Sequence, residues 1–436
     1  MGFCFFMNTI EQIYAIFKVC KKINTDSRII TPNSIFFALK GDNFDGNKYV
    51  EDALAKGSIA AVTSDKRFKD IDNIFIVSDT LKALQDLANY HRRQLKIPII
   101  GITGSNGKTT TKELLASVLA QKLRVAYTGG NKNNHIGVPL TLLAMNHTVD
   151  IGIIEMGANH KGEIKTLCEI AEPEYGLITN IGKAHLEGFG SIENIKQTKG
   201  ELYDYLKKNQ GIIFSNIDNE ILNELLNTYS SVSYGQSEKS YCQGIYTEFG
   251  YEAAVKWEAN NQKGLAKSNL IGAYNFENIL AAITVGSYFN VPETAIDNAI
   301  ACYYPRNNRS QHVKTIRNSL ILDFYNANPT SMIAAIDNFD RIVEKNKCLI
   351  LGDMLELGVD SIKEHKMILE KIEDMNFRKV YLVGSEFYNF NNKYEFIFFK
   401  KVEDLALQLV KKPEIGKFFL IKGSRGIKLE KCTDYL

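Results

Sequence analysis

Three features are scarce in this chain of 436 residues: paired cysteines, long apolar runs and an excess of one charge. Its seven cysteines are an odd number without a C-x-x-C pair, which favours reduced thiols in a cytosol over disulfides or a zinc site. No run approaches the roughly twenty apolar residues of a membrane helix. A formal net charge of +2 provides no broad basic surface, so composition does not favour nucleic acid as a partner.

The opening residues also lack targeting signals. The segment MGFCFFMNTIEQIY has neither the basic start nor the long apolar core of a signal peptide, and Phe6 stands where a myristoylation motif needs serine or threonine. We therefore expect a cytoplasmic protein without membrane insertion. An amphipathic segment starts at Met7, so we expect the first six residues to be a start-site extension or a frayed end.

Composition and periodicity predict an α/β protein of three domains. With 45% hydrophobic and 23% charged residues, the chain can bury several cores. Residues 1–96 predict a small mixed α/β domain. Residues 97–311 alternate apolar strands, such as 151–154 and 175–179, with helices, which is typical of a doubly wound, P-loop ATPase-like sheet. Residues 312–436 repeat this alternation on a smaller scale and predict a Rossmann-like domain.

The most informative motif is GITGSNGKTTTKE, at residues 101–113. A strand pattern precedes its glycines and a helical pattern follows its lysine, so a helix N-terminus would present free backbone N–H groups to a phosphate. We expect Lys108 to reach the β- and γ-phosphates of ATP and Thr109 to contact Mg²⁺. Five residues, not the usual four, separate Gly101 from Gly107, and a simple glycine-rich turn is the alternative. The predicted triphosphate-binding residues are Gly104, Ser105, Asn106, Gly107, Lys108, Thr109 and Thr110.

Further polar residues follow strands of the central domain. Glu155 ends an apolar strand, and parallel strands end at one sheet edge, so its carboxylate would lie beside the phosphate loop and contact Mg²⁺. His185, on the loop after the next strand, would complete the metal shell, with a hydrogen-bonded loop histidine as the ordinary alternative. Lys199 lies in a predicted helix at 194–205. An ordinary surface lysine explains this position as well as a role in the site does.

Asparagines are concentrated in two segments. Asn131, Asn133 and Asn134 lie between glycines, where they either form a plain turn or place amides around sugar or phosphate oxygens. Asn275 and Asn278 lie one turn apart at the start of an apolar helix. Capping explains one of them, and we expect the pair to read an adenine edge.

The last predicted domain adds a second group of polar turns. Arg309, just before it, offers a forked charged donor to phosphate, unless it is an exposed solvated charge. Three strand ends, at 323–332, 351–354 and 423–426, carry polar or glycine-rich turns, which predicts a substrate surface facing the phosphate loop. We assign Asp323 and Asn326 to the nucleotide, and Asn328, Ser424 and Arg425 to the substrate.

Eight segments in chain order carry a resemblance to a known family. They are GITGSNGKTT, NKNNHIGVP, IIEMGANHKGEI, TNIGKAHLEGFGS, GAYNFEN, DFYNANPTSM, LGDMLELG and GSRGIKLE. The chain resembles the Mur ligase superfamily, ATP-dependent enzymes that build the peptidoglycan peptide, together with folylpolyglutamate synthases. The YNANP and LGDMLELG forms favour the members that add D-alanyl-D-alanine. DSR at 26–28 and FFALKGDNFDG at 36–46 extend the likeness to the first domain, although Asn47 replaces a histidine common in the family.

The resemblance implies a ligase that uses ATP and Mg²⁺ to join D-alanyl-D-alanine to UDP-N-acetylmuramoyl-tripeptide through an acyl phosphate. It places the UDP substrate on 1–96, with Ser27 and Arg28 as contacts, ATP on 97–311 and the incoming dipeptide on 312–436, in a monomer. The implied catalytic residues are Lys108, Lys199, His185 and Arg309. The implied metal ligands are Thr109, Glu155, His185 and Lys199, the last as a carbamate.

Two other classes of function remain open from the sequence. A folylpolyglutamate-type or amino-acid-adding ligase would share the ATP site and differ in its amine substrate. A P-loop kinase or nucleotide-dependent switch is disfavoured by the asparagine-rich loop and the third domain. A non-catalytic scaffold is disfavoured because every expected polar position is present.

Overall fold

The computed structural model describes residues 8–306 and 308–436, so our expectation for the first six residues lies outside the described part. The first sheet has four parallel strands in the order β1-β2-β5-β6, with a separate small hairpin of β3 and β4. The helices of this part are α1 (Thr9–Cys20), α2 (Val50–Ala55) and α3 (Thr80–Leu95). Its strands are β1 (Ile23–Asn24), β2 (Ile35–Phe37), β3 (Lys40–Gly41), β4 (Phe44–Asp45), β5 (Ala60–Thr63) and β6 (Ile74–Ile76).

The central sheet has nine strands in the order β15-β14-β13-β12-β11-β10-β7-β9-β8. Its strands are β7 (Ile99–Thr103), β8 (Val125–Tyr127), β9 (Ile151–Glu155), β10 (Tyr175–Ile178), β11 (Ile212–Asn216), β12 (Val232–Gly235), β13 (Cys242–Phe249), β14 (Glu252–Ala259) and β15 (Gln262–Ile271). Its helices are α4 (Lys108–Leu119), α5 (Gly137–Leu143), α6 (Glu163–Ala171), α7 (Leu186–Phe189), α8 (Ile192–Lys208), α9 (Glu220–Leu226), α10 (Phe276–Tyr288) and α11 (Glu293–Ala301). Strands β7 to β13 pair in parallel. Strands β13, β14 and β15 form an antiparallel extension that was not predicted from the sequence.

The third sheet has six strands in the order β16-β17-β21-β18-β19-β20, parallel except for the edge strand β16. Its strands are β16 (Gln311–Lys314), β17 (Ser319–Asp323), β18 (Lys347–Gly352), β19 (Lys379–Val383), β20 (Ile397–Phe399) and β21 (Phe418–Lys422). Its helices are α12 (Pro329–Arg341), α13 (Ser361–Glu373), α14 (Ser385–Tyr388), α15 (Val402–Lys411) and α16 (Glu430–Thr433). The predicted three-part α/β fold class is confirmed, and the domain limits at residues 96 and 311 stay predictions. No helix within the two described ranges is long and apolar enough to cross a membrane.

The connection from β7 to α4 depends on two glycines. Gly104 has φ +141° and Gly107, which precedes α4, has φ +80°, conformations that residues with a Cβ rarely adopt. A Cβ at Gly104 would overlap the Thr179 hydroxyl, and one at Gly107 would overlap the Asn278 side chain. These two positions therefore let the loop lie directly against β10 and the start of α10.

Helix α4 is held in place by α10, which packs along it. Leu114, Leu115 and Val118 of α4 are fully buried in the cluster that includes the apolar face of α10. Gly286 of α10 lies so close to Val118 that an added Cβ would overlap the valine methyl Cγ1. The first turn of α4, which begins at Lys108, is therefore positioned by core packing several turns away.

We expect the variant Gly286→Ala to be less stable than the wild type by about 1–3 kcal/mol, because the new methyl group overpacks the contact with Val118. This loss opposes the better helix propensity of alanine. Thermal unfolding of Gly286→Ala, Val118→Ala and the double variant measures the effect. Removing the valine methyls should relieve the overlap, so the double variant should lose less stability than the sum of the single variants. Simple additivity would show that the loss does not arise from the contact between the new methyl group and Val118.

Candidate active site

A cavity of about 890 Å³ lies at the carboxyl ends of the central strands and faces the turns of the third sheet. Most residues that we assigned to a site from the sequence line this cavity. They are Ser105, Asn106, Gly107, Lys108, Thr109, Thr110, Asn131, Asn133, Asn134, Glu155, His185, Asn275, Asn278, Arg309, Asp323, Asn326 and Asn328. The structure thus brings together side chains separated by more than two hundred positions in the chain, while the role of each stays a prediction.

Lys108 begins α4 and turns back over its own loop. Its Nζ donates hydrogen bonds to the carbonyl oxygens of Gly104 (2.5 Å) and Ser105 (3.0 Å). Burial lowers the pKa of Lys108 to about 8, the nearby Glu155 carboxylate opposes this, and the charge of Arg309 adds to it. An anion bound beside this ammonium group would therefore stabilise its charged form.

Glu155, the last residue of β9, has a fixed carboxylate. Thr109 Oγ1 lies 3.0 Å from Oε2 and 3.2 Å from Oε1, Asn133 Nδ2 donates to Oε1 (2.8 Å), and Lys112 Nζ lies 3.4 Å from Oε2. A carboxylate and a hydroxyl are hard oxygen donors of the kind that Mg²⁺ prefers, and Mg²⁺ commonly uses one or two such groups together with substrate phosphates. The described residues contain no group of three or more His, Cys, Asp or Glu side chains arranged to hold a metal by themselves. The donor set thus fits Mg²⁺ bound together with a nucleotide.

The other two predicted metal ligands have different contacts. His185 lines the cavity with φ +55°, and its Nδ1 is hydrogen-bonded to Glu356 of the third part. Lys199 is buried on α8, where its Nζ donates to the carbonyl oxygen of Ala158 (3.2 Å) and lies 5.2 Å from the centre of the Phe189 ring. Burial, followed by the charge of Lys108, holds the pKa of Lys199 well below its usual value. Their roles as metal ligands stay predictions.

The predicted adenine-reading asparagines are bonded to each other. Asn278 Nδ2 donates to Asn275 Oδ1 (3.0 Å), and Thr111 of α4 donates to Asn278 Oδ1 (3.0 Å). Asn275 in turn donates to the carbonyl oxygen of Ile271 (2.8 Å). Both side chains border the cavity, and the bond from Thr111 also fixes the start of α10 against α4.

Arg309 lies over an aromatic ring. Its guanidinium carbon is 3.7 Å from the centre of the Tyr325 ring, and that of Arg425 is 5.5 Å from the same centre. The buried Nε of Arg309 has no hydrogen-bond partner within the described residues. Tyr325 was not assigned from the sequence, although its place two residues after the end of β17, inside the YNANP motif, was a usable signal.

Two charged residues from neighbouring strand ends form a pair at the cavity wall. Lys422, at the end of β21, donates to Asp323 Oδ2 (2.6 Å) at the end of β17, and the backbone N–H of Ser310 donates to Asp323 Oδ1 (3.2 Å). The Lys422 side chain is 3% exposed. We did not assign Lys422 from the sequence, but a lysine that ends the buried apolar strand FFLIK marks a paired or ligand-binding cation.

Three models of known families match this chain in succession. The model described as "Mur ligase family, catalytic domain" matches residues 20–101, "Mur ligase middle domain" matches 102–286, and "Mur ligase, glutamate ligase domain" matches 308–425. A UDP-N-acetylmuramoyl-tripeptide–D-alanyl-D-alanine ligase from Rickettsia prowazekii is 33% identical over 95% of both chains. One from Bacillus subtilis is 35% identical over 94% of this chain and 92% of the relative.

The chain belongs to the Mur ligase family. Solved structures agree: MurF from Acinetobacter baumannii superposes with a TM-score of 0.87 at 28% identity, covering 95% of this chain and 93% of that chain. MurF from Thermotoga maritima, solved in complex with ADP, superposes with a TM-score of 0.86 at 26% identity over 98% of both chains. The resemblance inferred from the sequence motifs is therefore confirmed.

In this Mur ligase, residues of the third part contact the phosphate loop directly. Asn328 Nδ2 donates to Asn106 Oδ1 (2.8 Å), while Asn328 Oδ1 caps α12 by accepting from the Ser331 N–H (2.9 Å). Ser424 is buried, accepts from the Leu355 N–H (2.9 Å) and donates to Ala327 O (3.3 Å). Asn328 and Ser424 thus organise the turns, and their substrate contacts stay predictions.

The predicted uridine contacts lie in the first part of the Mur ligase chain, away from the cavity lining. Ser27 is buried and its carbonyl oxygen accepts from Lys56, whereas Arg28 is exposed and forms an ion pair with Asp26 (2.7 Å). Asn47, which replaces the common histidine, accepts from the Thr63 hydroxyl (2.6 Å) and the Ser64 N–H (3.0 Å) and donates to Asp45 (2.8 Å). The amide at this position is therefore hydrogen-bonded within the first part of the chain.

We expect Lys422→Met to destabilise this Mur ligase by about 3–5 kcal/mol, because it leaves the Asp323 carboxylate without its buried counter-cation. Thermal or chemical unfolding measures the loss. Lys431→Met is the matched control, since Lys431 pairs with Glu403 on the open surface, where such pairs contribute little. Equal effects in the two variants would contradict the structural importance of the Asp323 pair.

Proposed function

We propose that this chain uses ATP to join D-alanyl-D-alanine to UDP-N-acetylmuramoyl-tripeptide. The observation that carries the proposal is the shared cavity, which is lined by the phosphate loop, by Glu155 and by the turns of the third part. Relatives that carry this activity in their names align with nearly the whole chain at 33–35% identity. The D-alanyl-D-alanine ligases are thus favoured over the amino-acid-adding and folylpolyglutamate types.

In the proposed reaction, the γ-phosphoryl group of ATP passes to the terminal carboxylate of the tripeptide, giving ADP and an acyl phosphate. The dipeptide amine then attacks the acyl carbon, loses a proton and displaces inorganic phosphate as the new amide forms. The first step brings two anions together, so it requires concentrated positive charge. Lys108 on the phosphate loop and Arg309, which lies over the Tyr325 ring, provide two cations that line the cavity.

We propose that Thr109 and Glu155 hold Mg²⁺ beside the phosphates. When bound, this ion neutralises charge on the β- and γ-phosphoryl oxygens. The hydrogen bonds from Thr109 and Asn133 fix the direction of the Glu155 carboxylate in advance. We further propose that His185 and a carbamate on Lys199 contribute to a second metal position. The lowered pKa of Lys199 favours the neutral amine, the form that adds to CO₂ and then loses a proton to give the anion that this role requires.

We also propose where the remaining substrates bind. In the first part, the uridine nucleotide would contact the exposed Asp26–Arg28 pair and the buried Ser27. The dipeptide or the nucleotide would contact the turns of the third part that carry Asn326, Asn328 and Arg425. We propose a monomer as the active unit. ATP and the nucleotide-sugar substrate are both cytoplasmic metabolites, so we propose that the reaction takes place in the cytoplasm.

A coupled assay of ADP release tests the proposal. The wild-type protein is incubated with ATP, Mg²⁺ and UDP-N-acetylmuramoyl-tripeptide, with and without D-alanyl-D-alanine. Turnover should require the dipeptide and should yield the pentapeptide product. Preference for L-lysine or glutamate would instead indicate an amino-acid-adding or folylpolyglutamate-type ligase, and phosphate release without any amine would indicate a kinase or switch.

We expect Lys108→Ala to abolish ligation while leaving the fold intact, because the variant removes the cation that lies over the phosphate loop. Product formation and far-UV circular dichroism measure the two effects. Lys208→Ala, at the exposed end of α8, is the matched control and should retain wild-type turnover. Undiminished ligation by Lys108→Ala would refute the assignment of this lysine.

We expect kcat/KM for ATP to fall as the pH rises above about 8, by about tenfold per pH unit at the limit. The free enzyme loses the Lys108 ammonium near this pH, and with it an attraction for the phosphates. Bound phosphates favour the protonated lysine, so kcat at saturating ATP should decline only at higher pH. Initial rates measured between about pH 6.5 and pH 10, a range that includes the pKa of Lys108, distinguish the two profiles. A kcat/KM that stays constant over this range would contradict the argument.

A further inference from the structure

One buried lysine of the site has no role in the mechanism above. Lys112 lies one turn after Lys108 on α4, is 0% exposed, and its Nζ has no hydrogen-bond partner within the described residues. The nearest carboxylate oxygens belong to Glu155 (3.4 Å) and Glu113 (3.9 Å), and the centre of the Tyr127 ring is 5.8 Å away. An ammonium group without hydrogen bonds is costly to bury, so its retention depends on these charges.

Glu155 is the partner that matters for Lys112. Glu113 already accepts a hydrogen bond from the Tyr303 hydroxyl (2.8 Å) and is partly exposed. The Glu155 side chain is 2% exposed, and the side chains that donate hydrogen bonds to it, Thr109 and Asn133, are neutral. Lys108 also acts on this carboxylate, but the two do not form an ion pair within 4.0 Å. Within the described residues, Lys112 therefore provides the positive charge closest to this buried carboxylate.

Lys112 and the cavity lie on different sides of the Glu155 carboxylate. Thr109, Asn133 and Glu155 line the cavity, whereas Lys112 is absent from the described residues that line it. The ammonium group thus approaches the carboxylate from the body of α4, and the nucleotide side stays open. A divalent cation at Glu155 would share one carboxylate with a fixed like charge a few ångströms behind it.

We propose that Lys112 is the permanent counter-cation of Glu155 and that it weakens the hold of this carboxylate on the divalent cation. The inference rests on the proposed function, because it takes Glu155 as a metal ligand. Without a metal, the ammonium group compensates the buried carboxylate and keeps it in place. With a metal bound, repulsion between the two cations lowers the affinity, so the metal–nucleotide product leaves more readily. Lys112 is a positioning residue, since it acts through Glu155.

The first test measures metal affinity directly. The wild-type protein and the variants Lys112→Met, Lys112→Arg and Glu155→Gln are saturated with ADP and titrated with Mn²⁺, and free Mn²⁺ is followed by electron paramagnetic resonance. Methionine keeps the length of the side chain and removes its charge. We expect Lys112→Met to bind Mn²⁺ at least about tenfold more tightly, since a like charge near the ligand is removed. Lys112→Arg should resemble the wild type.

The outcomes separate this inference from the proposed function. Unchanged or weaker binding by Lys112→Met overturns the inference, provided that the wild type binds Mn²⁺ and Glu155→Gln does not. If the wild type and Glu155→Gln bind equally, Glu155 is not a metal ligand, and the proposed metal role and the inference both fail.

The second test needs no metal, so it also applies to a variant that is too unstable for the Mn²⁺ titration. Thermal unfolding is compared for the wild type, Lys112→Met, Glu155→Gln and the double variant in the presence of a chelator. Each single variant leaves one buried polar group uncompensated and should lower the Tm, while the double variant should lose less than the sum. If Lys112→Met does not fold, Lys112→Gln replaces it in the Mn²⁺ titration. Additive Tm losses would show that the two side chains are not a pair.

Discussion

The site depends on how closely the phosphate loop approaches its neighbours. Gly104 and Gly107 leave room for the Thr179 hydroxyl and the Asn278 side chain, and the loop is then bonded to the segment after β10. Ser105 N–H donates to Asn180 O (2.9 Å), and Asn106 N–H donates to Asn180 Oδ1 (3.0 Å). The loop is therefore held in shape by other strands and helices, and the direction of α4 follows from that.

A second constraint is the set of lysines held close to the phosphate loop. Lys108 lies near Lys199 and near the buried Glu155 carboxylate, Lys112 Nζ is 3.4 Å from Oε2 of the same carboxylate, and Lys422 is paired with Asp323. Such an arrangement costs stability without an anionic ligand, because burial disfavours each uncompensated charge. Binding of a polyphosphate would relieve this cost, so the same charges that weaken the free protein favour the nucleotide complex.

The parts of the fold that follow simple periodicity could be predicted from the sequence. The buried strand β7, the glycines and the helical pattern of α4 indicated the phosphate loop directly, and Glu155 followed from its place at a strand end. The antiparallel extension β13–β15 was missed because its strands mix exposed and buried residues, although Asn260 and Asn261, both with positive φ, form the kind of two-residue turn that marks a hairpin. The bonds from His185 to Glu356 and from Asn106 to Asn328 join distant segments, and no local pattern indicates them.

The bond between Asn106 and Asn328 has a consequence for how the molecule can move. Asn328 is fixed at the start of α12, so it cannot follow the phosphate loop if the last part of the chain swings away. Thr330 accepts from the Lys183 N–H (3.1 Å) and Glu356 binds His185, so three contacts from two turns would have to separate together. A rotation of this part should therefore be cooperative, with distinct open and shut arrangements in place of a continuous range of angles.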